Sequence, residues 1–220
     1  MIDKASPSDI HEITAVTVTG MSNDDRDEMA IPSYSHTNPL VRWLMWRRYE
    51  VLAKFLGAGS ERTALEFGCG MGLFLPELGS RFDRVFAVEL FPDYAKILCA
   101  RRSLNTQFVP TLDEIPNSEI DVIVAADVLE HLENLPTYLS KFANILKPAG
   151  KLLVSGPTEN LLYKLGRVAA GFHGKGDYHH TNVNRLIEDI TAHGFRHVRT
   201  VPIPFPILPS LFKVCEFSSE

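Results

Sequence analysis

From residue 63 onward the chain alternates two kinds of segment: short, nearly continuous apolar runs rich in β-branched and aromatic residues, and longer stretches with helical apolar spacing. The runs at 63–68, 84–89, 106–109, 121–126 and 151–155 predict strands, most of them bounded by Gly, Pro or Asp. Between them, 72–80, 92–103 and 136–146 predict helices. Strands that are apolar throughout, alternating with helices, predict a parallel sheet covered on both faces. Beyond Gly156 the pattern changes to helical stretches at 159–170 and 183–193 around a Gly/His-rich loop at 171–182, then two closing strands at 196–203 and 211–217. Pro202, Pro204, Pro206 and Pro209 favour an extended link between those two strands. Ahead of the sheet, Asn38 as cap, Pro39 at the first helical position and Gly57 as the stop predict a helix over 38–57 with a large apolar face. Residues 1–33 carry no sustained period and include the polar run Asn23-Asp24-Asp25-Arg26-Asp27-Glu28, so they are expected to bury little and to be mobile or to order on binding.

Composition narrows the class. A chain of 220 residues supports one well-buried core but is short for two domains, so 34–220 is expected to form a single domain with 157–182 as an insertion or lid. A net charge of -5 lacks the clustered Lys and Arg of a nucleic-acid footprint, which makes a small molecule the expected partner. Cys69, Cys99 and Cys215 show no metal spacing, and the N-terminus does not read as a signal peptide, so a reducing cytoplasm is expected. No stretch approaches the roughly 20 apolar residues of a membrane-spanning helix.

The strongest local chemistry lies where the first predicted strand meets its turn, Leu65-Glu66-Phe67-Gly68-Cys69-Gly70-Met71-Gly72. Glycines let the backbone approach a ligand and adopt positive φ, and a helix start offers unpaired N–H donors. The dinucleotide fingerprint would require a third Gly at position 73, which is Leu73, and this argues against a nicotinamide-dependent oxidoreductase. About 20 residues after the turn, the apolar run Val85-Phe86-Ala87-Val88 ends in Glu89, where a carboxylate can accept from both ribose hydroxyls of an adenosine-type ligand.

Four segments in register carry a resemblance: Glu66 to Gly72, Val88-Glu89, Asp121-Val-Ile-Val-Ala-Ala-Asp127-Val-Leu-Glu130-His131, and Leu146-Lys-Pro-Ala-Gly150-Lys-Leu-Leu-Val-Ser155. Over 63–160 the chain resembles the class I methyltransferases that use S-adenosylmethionine, especially those acting on small molecules. That resemblance implies an α/β fold, a doubly wound, mostly parallel seven-stranded sheet with an antiparallel C-terminal strand. It also implies that Glu66 and the turn Gly68, Gly70, Gly72 line the methionine end of the donor, that Glu89 holds the ribose, and that Leu90 flanks the adenine. Relatives often carry an Asp where this chain has Thr111, so backbone contacts at Leu112 are expected to matter more than a charge there.

Methyl transfer is an in-line displacement in which positioning supplies much of the rate and a base serves only a reluctant nucleophile. Candidate hardware is Asp127, Glu130 and His131 at the carboxyl end of the fourth strand; in a helical turn they would share one face at i, i+3 and i+4. In one reading Glu130 and His131 cap and orient the turn beneath the donor, with Asp127 part of the donor site. In the other the three bind a divalent cation that activates an acceptor hydroxyl; some ubiquinone-pathway O-methyltransferases and small-RNA 2′-O-methyltransferases carry a similar set, with a later His that His179 or His180 would supply. His131 and His180 are the candidate catalytic residues. Trp43, Met45, Trp46, Phe172, Phe205 and Leu208 are candidates for an apolar acceptor surface, and Arg42, Trp43, Trp46, Arg47 and Arg48 suit a helix lying on a membrane interface. The expected activity is O-methylation of a small, hydrophobic or lipid-like acceptor; the alternative is a non-catalytic donor-binding or protein-interaction module.

Overall fold

The apolar runs pair with one another because each is buried on both faces. The computed structural model describes residues 2, 4–57, 62–169, 180–205 and 209–219. Among these, β1 (Thr63–Phe67), β2 (Arg84–Val88), β3 (Thr106–Phe108), β4 (Ile120–Ala126), β5 (Leu146–Pro157), β6 (Arg196–Ile203) and β7 (Phe212–Ser218) form one sheet in the order β3-β2-β1-β4-β5-β7-β6. β1 to β5 run parallel, and β7 lies antiparallel to both β5 and β6, as the resemblance implied. Strand order reverses between β1 and β4, and this is the point at which open α/β sheets leave a crevice at their carboxyl ends.

Alternate residues of each strand feed two cores. Ala64, Val122 and Val124 face a layer formed by α1 (Pro7–Thr14), α2 (Asn23–Glu28), α3 (Ile31–Tyr34), α4 (Pro39–Phe55), α5 (Leu75–Gly79) and α6 (Asp93–Arg102). Leu65, Ile123 and Ala125 face α7 (Leu135–Ile145) and α9 (Val183–Ala192). Between β5 and α9 lies α8 (Leu161–Ala169); most of the loop expected at 171–182 falls outside the described residues. Among the described residues no helix is long and apolar enough to cross a membrane.

The structure corrects the expectation that 1–33 buries little. Ile10 and Ile13 of α1 are fully buried, Ile2, Val18 and Ile31 join the same core, and Tyr94 of α6 donates to the Val16 carbonyl. Ser6 with Asp9 and Ser22 with Asp25 close capping boxes at the starts of α1 and α2. Each helix is too short to show a period in a sequence window, yet their few apolar residues converge on one groove.

Candidate active site

β1 ends in a turn whose φ is +67° at Gly68, +53° at Gly70 and +73° at Gly72, the region that favours glycine. The helix expected over 72–80 therefore starts only at Leu75. A Cβ on Gly68 would stand 2.3 Å from Cγ2 of Val128. Gly68→Ala is expected to cost about 1–3 kcal/mol through overpacking, measured by urea unfolding; an unchanged midpoint would mean that Val128 yields freely.

Glu89 ties this turn to the next. One carboxylate oxygen accepts from Gly70 N at 2.7 Å, and the other from Leu90 N at 2.7 Å and Phe91 N at 3.2 Å. Glu66 is buried, and its Oε2 has no hydrogen-bond partner. Burial, and then the negative charge of Glu89, push its carboxyl well above the usual range. Leu90 is exposed beside Glu89, and Leu112 is buried in the short helical turn after β3.

At the end of β4, Asp127 occupies the left-handed region at φ +54° and is held there as its N–H donates to the Ser155 carbonyl. Its Oδ2 accepts from the Ser155 hydroxyl at 2.9 Å and pairs with Arg48 at 2.5 Å; its Oδ1 is buried without a partner. Arg48 is itself buried, beside the hydroxyl of Tyr34 at 3.4 Å and with its guanidinium 4.6 Å from the Phe212 ring centroid. Burial pulls its pKa down, but Asp127, through its charge and hydrogen bond, together with Tyr34 and Tyr49 raises it overall. Tyr34, Arg48, Tyr49 and Asp127 share one cleft with the glycine turn, and Met29 and Ala30 of the N-terminal segment also line it.

Sequence reading missed Tyr34 and Tyr49 and placed Arg48 at an interface. The signal was there for α4: Met45, Arg48, Tyr49 and Leu52 recur at helical spacing on its buried face, so an Arg shares the apolar stripe.

The expectation that Asp127, Glu130 and His131 share one helical face is also corrected. The short helix covers only Leu129–His131, because the left-handed backbone of Asp127 cannot begin it. Glu130 is buried with neither carboxylate oxygen hydrogen-bonded, His131 is half-buried, and His180 is exposed while its N–H donates to the Glu130 carbonyl at 2.8 Å. Among the described residues no group of three or more His, Cys, Asp and Glu side chains converges as a metal site would, and His179 lies outside them.

Burial, then the charge of Asp127, push the Glu130 carboxyl well above its usual range. A raised folded-state value means that the protein loses stability as pH climbs past the unfolded value of about 4.3. Glu130→Gln is therefore expected to raise Tm by a few degrees at pH 8 and by nothing near pH 4, measured by thermal unfolding. Equal shifts at both pH values would contradict a neutral Glu130.

Of the apolar acceptor candidates, Met45 and Trp46 belong to the core. Trp43 packs 6.0 Å from Phe205, which is half exposed, and Phe172 and Leu208 lie outside the described residues. The expected interfacial helix loses Trp46 and Arg48 to the interior.

Chemically, the cleft presents one unpartnered acidic oxygen, Asp127 Oδ1, while Glu66, whose Oε2 is also unpartnered, and Glu89 flank the glycine turn outside the cleft's lining. Each orphan costs about 1–3 kcal/mol unless a ligand satisfies it, so the site suits a ligand that brings an N–H donor to these oxygens.

The sequence profile of the methyltransferase domain family matches residues 42–200. Among curated proteins the chain is similar to the ubiquinone biosynthesis O-methyltransferase of Rhodopseudomonas palustris (strain BisB5), 28% identical over 134 residues that make up 56% of this chain and 52% of that protein. A protein of the same name from Rickettsia typhi is 28% identical over 101 residues, 44% of this chain and 41% of the relative. The chain thus spans about half the length of the curated relatives it matches. Among solved structures, the N-methyltransferase NodS of Bradyrhizobium japonicum WM9, in complex with S-adenosyl-L-homocysteine, is similar with a TM-score of 0.65 at 21% identity, covering 90% of this chain and 99% of that one. A SAM dependent methyltransferase of Aquifex aeolicus covers 99% of this chain and 100% of its own with a TM-score of 0.62 at 17% identity. At these identities the likeness is one of fold.

Proposed function

The chain belongs to the methyltransferase domain family, and on that premise we propose that it transfers a methyl group from S-adenosylmethionine to a small, apolar acceptor, with oxygen as the favoured atom. The observation that carries this reading is the set of carboxylates around the glycine turn: Glu89 shared between two turns, and Glu66 and Asp127 each with a buried oxygen that no protein group satisfies. In this reading Glu89 holds the ribose hydroxyls, Leu90 and Leu112 flank the adenine, and Gly68, Gly70 and Gly72 let the backbone approach the methionine end. Glu66 and Asp127 Oδ1 accept from its ammonium. When bound, the donor supplies an electrophilic methyl on a sulfonium. Met29 and Ala30 exclude water over the cleft, which strengthens every charge interaction inside it.

His131 and His180 are proposed to take the acceptor proton; both neighbour Glu130 along the chain or through its backbone. The choice of oxygen draws on the names of the curated relatives. A second reading, a module that binds the donor without turnover, draws on the position of the two histidines, neither of which lines the cleft.

Isothermal titration with S-adenosylhomocysteine tests the donor site. Micromolar binding, about -8 kcal/mol, is expected, and transfer of labelled methyl to a panel of phenolic acceptors then separates the two readings. No heat from folded protein would sink both.

A further inference from the structure

On most surface helices the apolar stripe faces inward; on α8 it faces out. Leu161, Leu162, Leu165 and Val168 are between 44% and 74% exposed, and 161, 165 and 168 fall on one stripe at i, i+4 and i+7. The helix is nonetheless well anchored. Asn160 donates to the Ser210 carbonyl at 2.7 Å and accepts from Tyr163 N, and Tyr163 meets Phe212 edge-on at 5.4 Å. Phe212 also lies beneath the Arg48 guanidinium, so α8 and α4 share it as a common support. Beside that support, Leu40 and Phe205 are exposed, with Trp43 packed on Phe205. These elements follow or adjoin the carboxyl end of β5, the same end of the sheet as the cleft.

Charge says what covers this rim. Among the described residues of 35–49, 161–168 and 203–211 no Asp or Glu occurs, while Arg42, Arg47 and Lys164 do, in a chain whose net charge is -5. Arg47 pairs with Glu50 and Arg48 with Asp127. Arg42 donates only to the backbone carbonyls of His36 and Thr37, and Lys164 is exposed without an acidic partner among the described residues. Exposed leucines and valine on a helix that also carries Lys164 without an acidic partner among the described residues match an interfacial helix; Leu and Val are under-represented at the hot spots of protein interfaces, where aromatic residues dominate.

We propose that α8, with Leu40 and Phe205, docks the protein on an anionic lipid bilayer, so that an apolar acceptor enters the cleft from the membrane. The purpose rests on the methyl transfer proposed above; the docking itself does not. The test is co-sedimentation of the full chain with vesicles of phosphatidylcholine and phosphatidylglycerol in roughly 3:1 ratio, against phosphatidylcholine alone. The chain should pellet with the anionic vesicles, and less so in high salt. Leu161→Glu/Leu165→Glu, at two exposed positions, should lower partitioning by roughly tenfold or more while S-adenosylhomocysteine binding stays as in the wild type. Wild-type protein that remains in the supernatant, or a double variant that partitions equally, overturns the proposal. So does a lipid-free dimer abolished by the same variant, which would assign the face to a second copy. Partitioning without any S-adenosylhomocysteine binding would instead remove the donor reading and leave the docking in place.

Discussion

Glu89→Ala is expected to abolish measurable binding of S-adenosylhomocysteine by titration calorimetry. In the proposed donor site the substitution removes two charge-assisted hydrogen bonds to the ribose, together about 3 kcal/mol or more, a loss of roughly a hundredfold or greater. It also strips the acceptor from Gly70 N, Leu90 N and Phe91 N, so the two turns that bracket the site lose their common tie. Because Glu89 is half-buried at the rim and not part of the hydrophobic core, the variant should remain folded. An affinity like that of the wild type would show that Glu89 serves only the backbone of the turns, and the donor site would have to lie elsewhere.

Arg48→Met is expected to produce the largest loss of stability. Removing one partner of a buried pair costs about 3–5 kcal/mol, and partial exposure of Asp127 places this case toward the low end. For a chain of this length that corresponds to a fall in Tm of roughly 10 °C. The stranded Asp127 carboxylate explains the cost, so Arg48→Met/Asp127→Asn should recover much of it. The stabilising charge on Arg48 itself does not titrate in the working range: Asp127, Tyr34 and Tyr49 together outweigh burial and raise its pKa. If the double variant is no more stable than the single, the loss belongs to the packing of Arg48 against Phe212 and Tyr34 and not to the ion pair.

The two positions differed in how legible they were. Glu89 was readable because strand ends and glycine turns are local: an apolar run stopping at a carboxylate places that carboxylate at the sheet's edge. Arg48 was not, because its meaning depends on Asp127, 79 positions away and brought close only when α4 crosses the carboxyl end of β4. An Arg among apolar neighbours on a helix suits a membrane interface as well as a buried pair until the partner is seen.

Helix and strand runs, the Gly68 to Gly72 turn and Glu89 were fixed by the sequence alone, since period, positive-φ glycines and strand ends are properties of neighbouring residues. The C-terminal pair shows the same: β6 keeps Pro202 only because it is the sheet's edge, where a missing N–H costs little. Tertiary structure decided what depends on distant partners. It packed Ile10, Ile13 and Ile31 of a segment that has no period into the core, lined the cleft with Met29, and broke the Asp127–Glu130–His131 face at a left-handed residue. It also turned the apolar side of α8 outward. An amphipathic pattern states that a helix has two faces, but only the packing of Tyr163 on Phe212 determines which of them meets the protein.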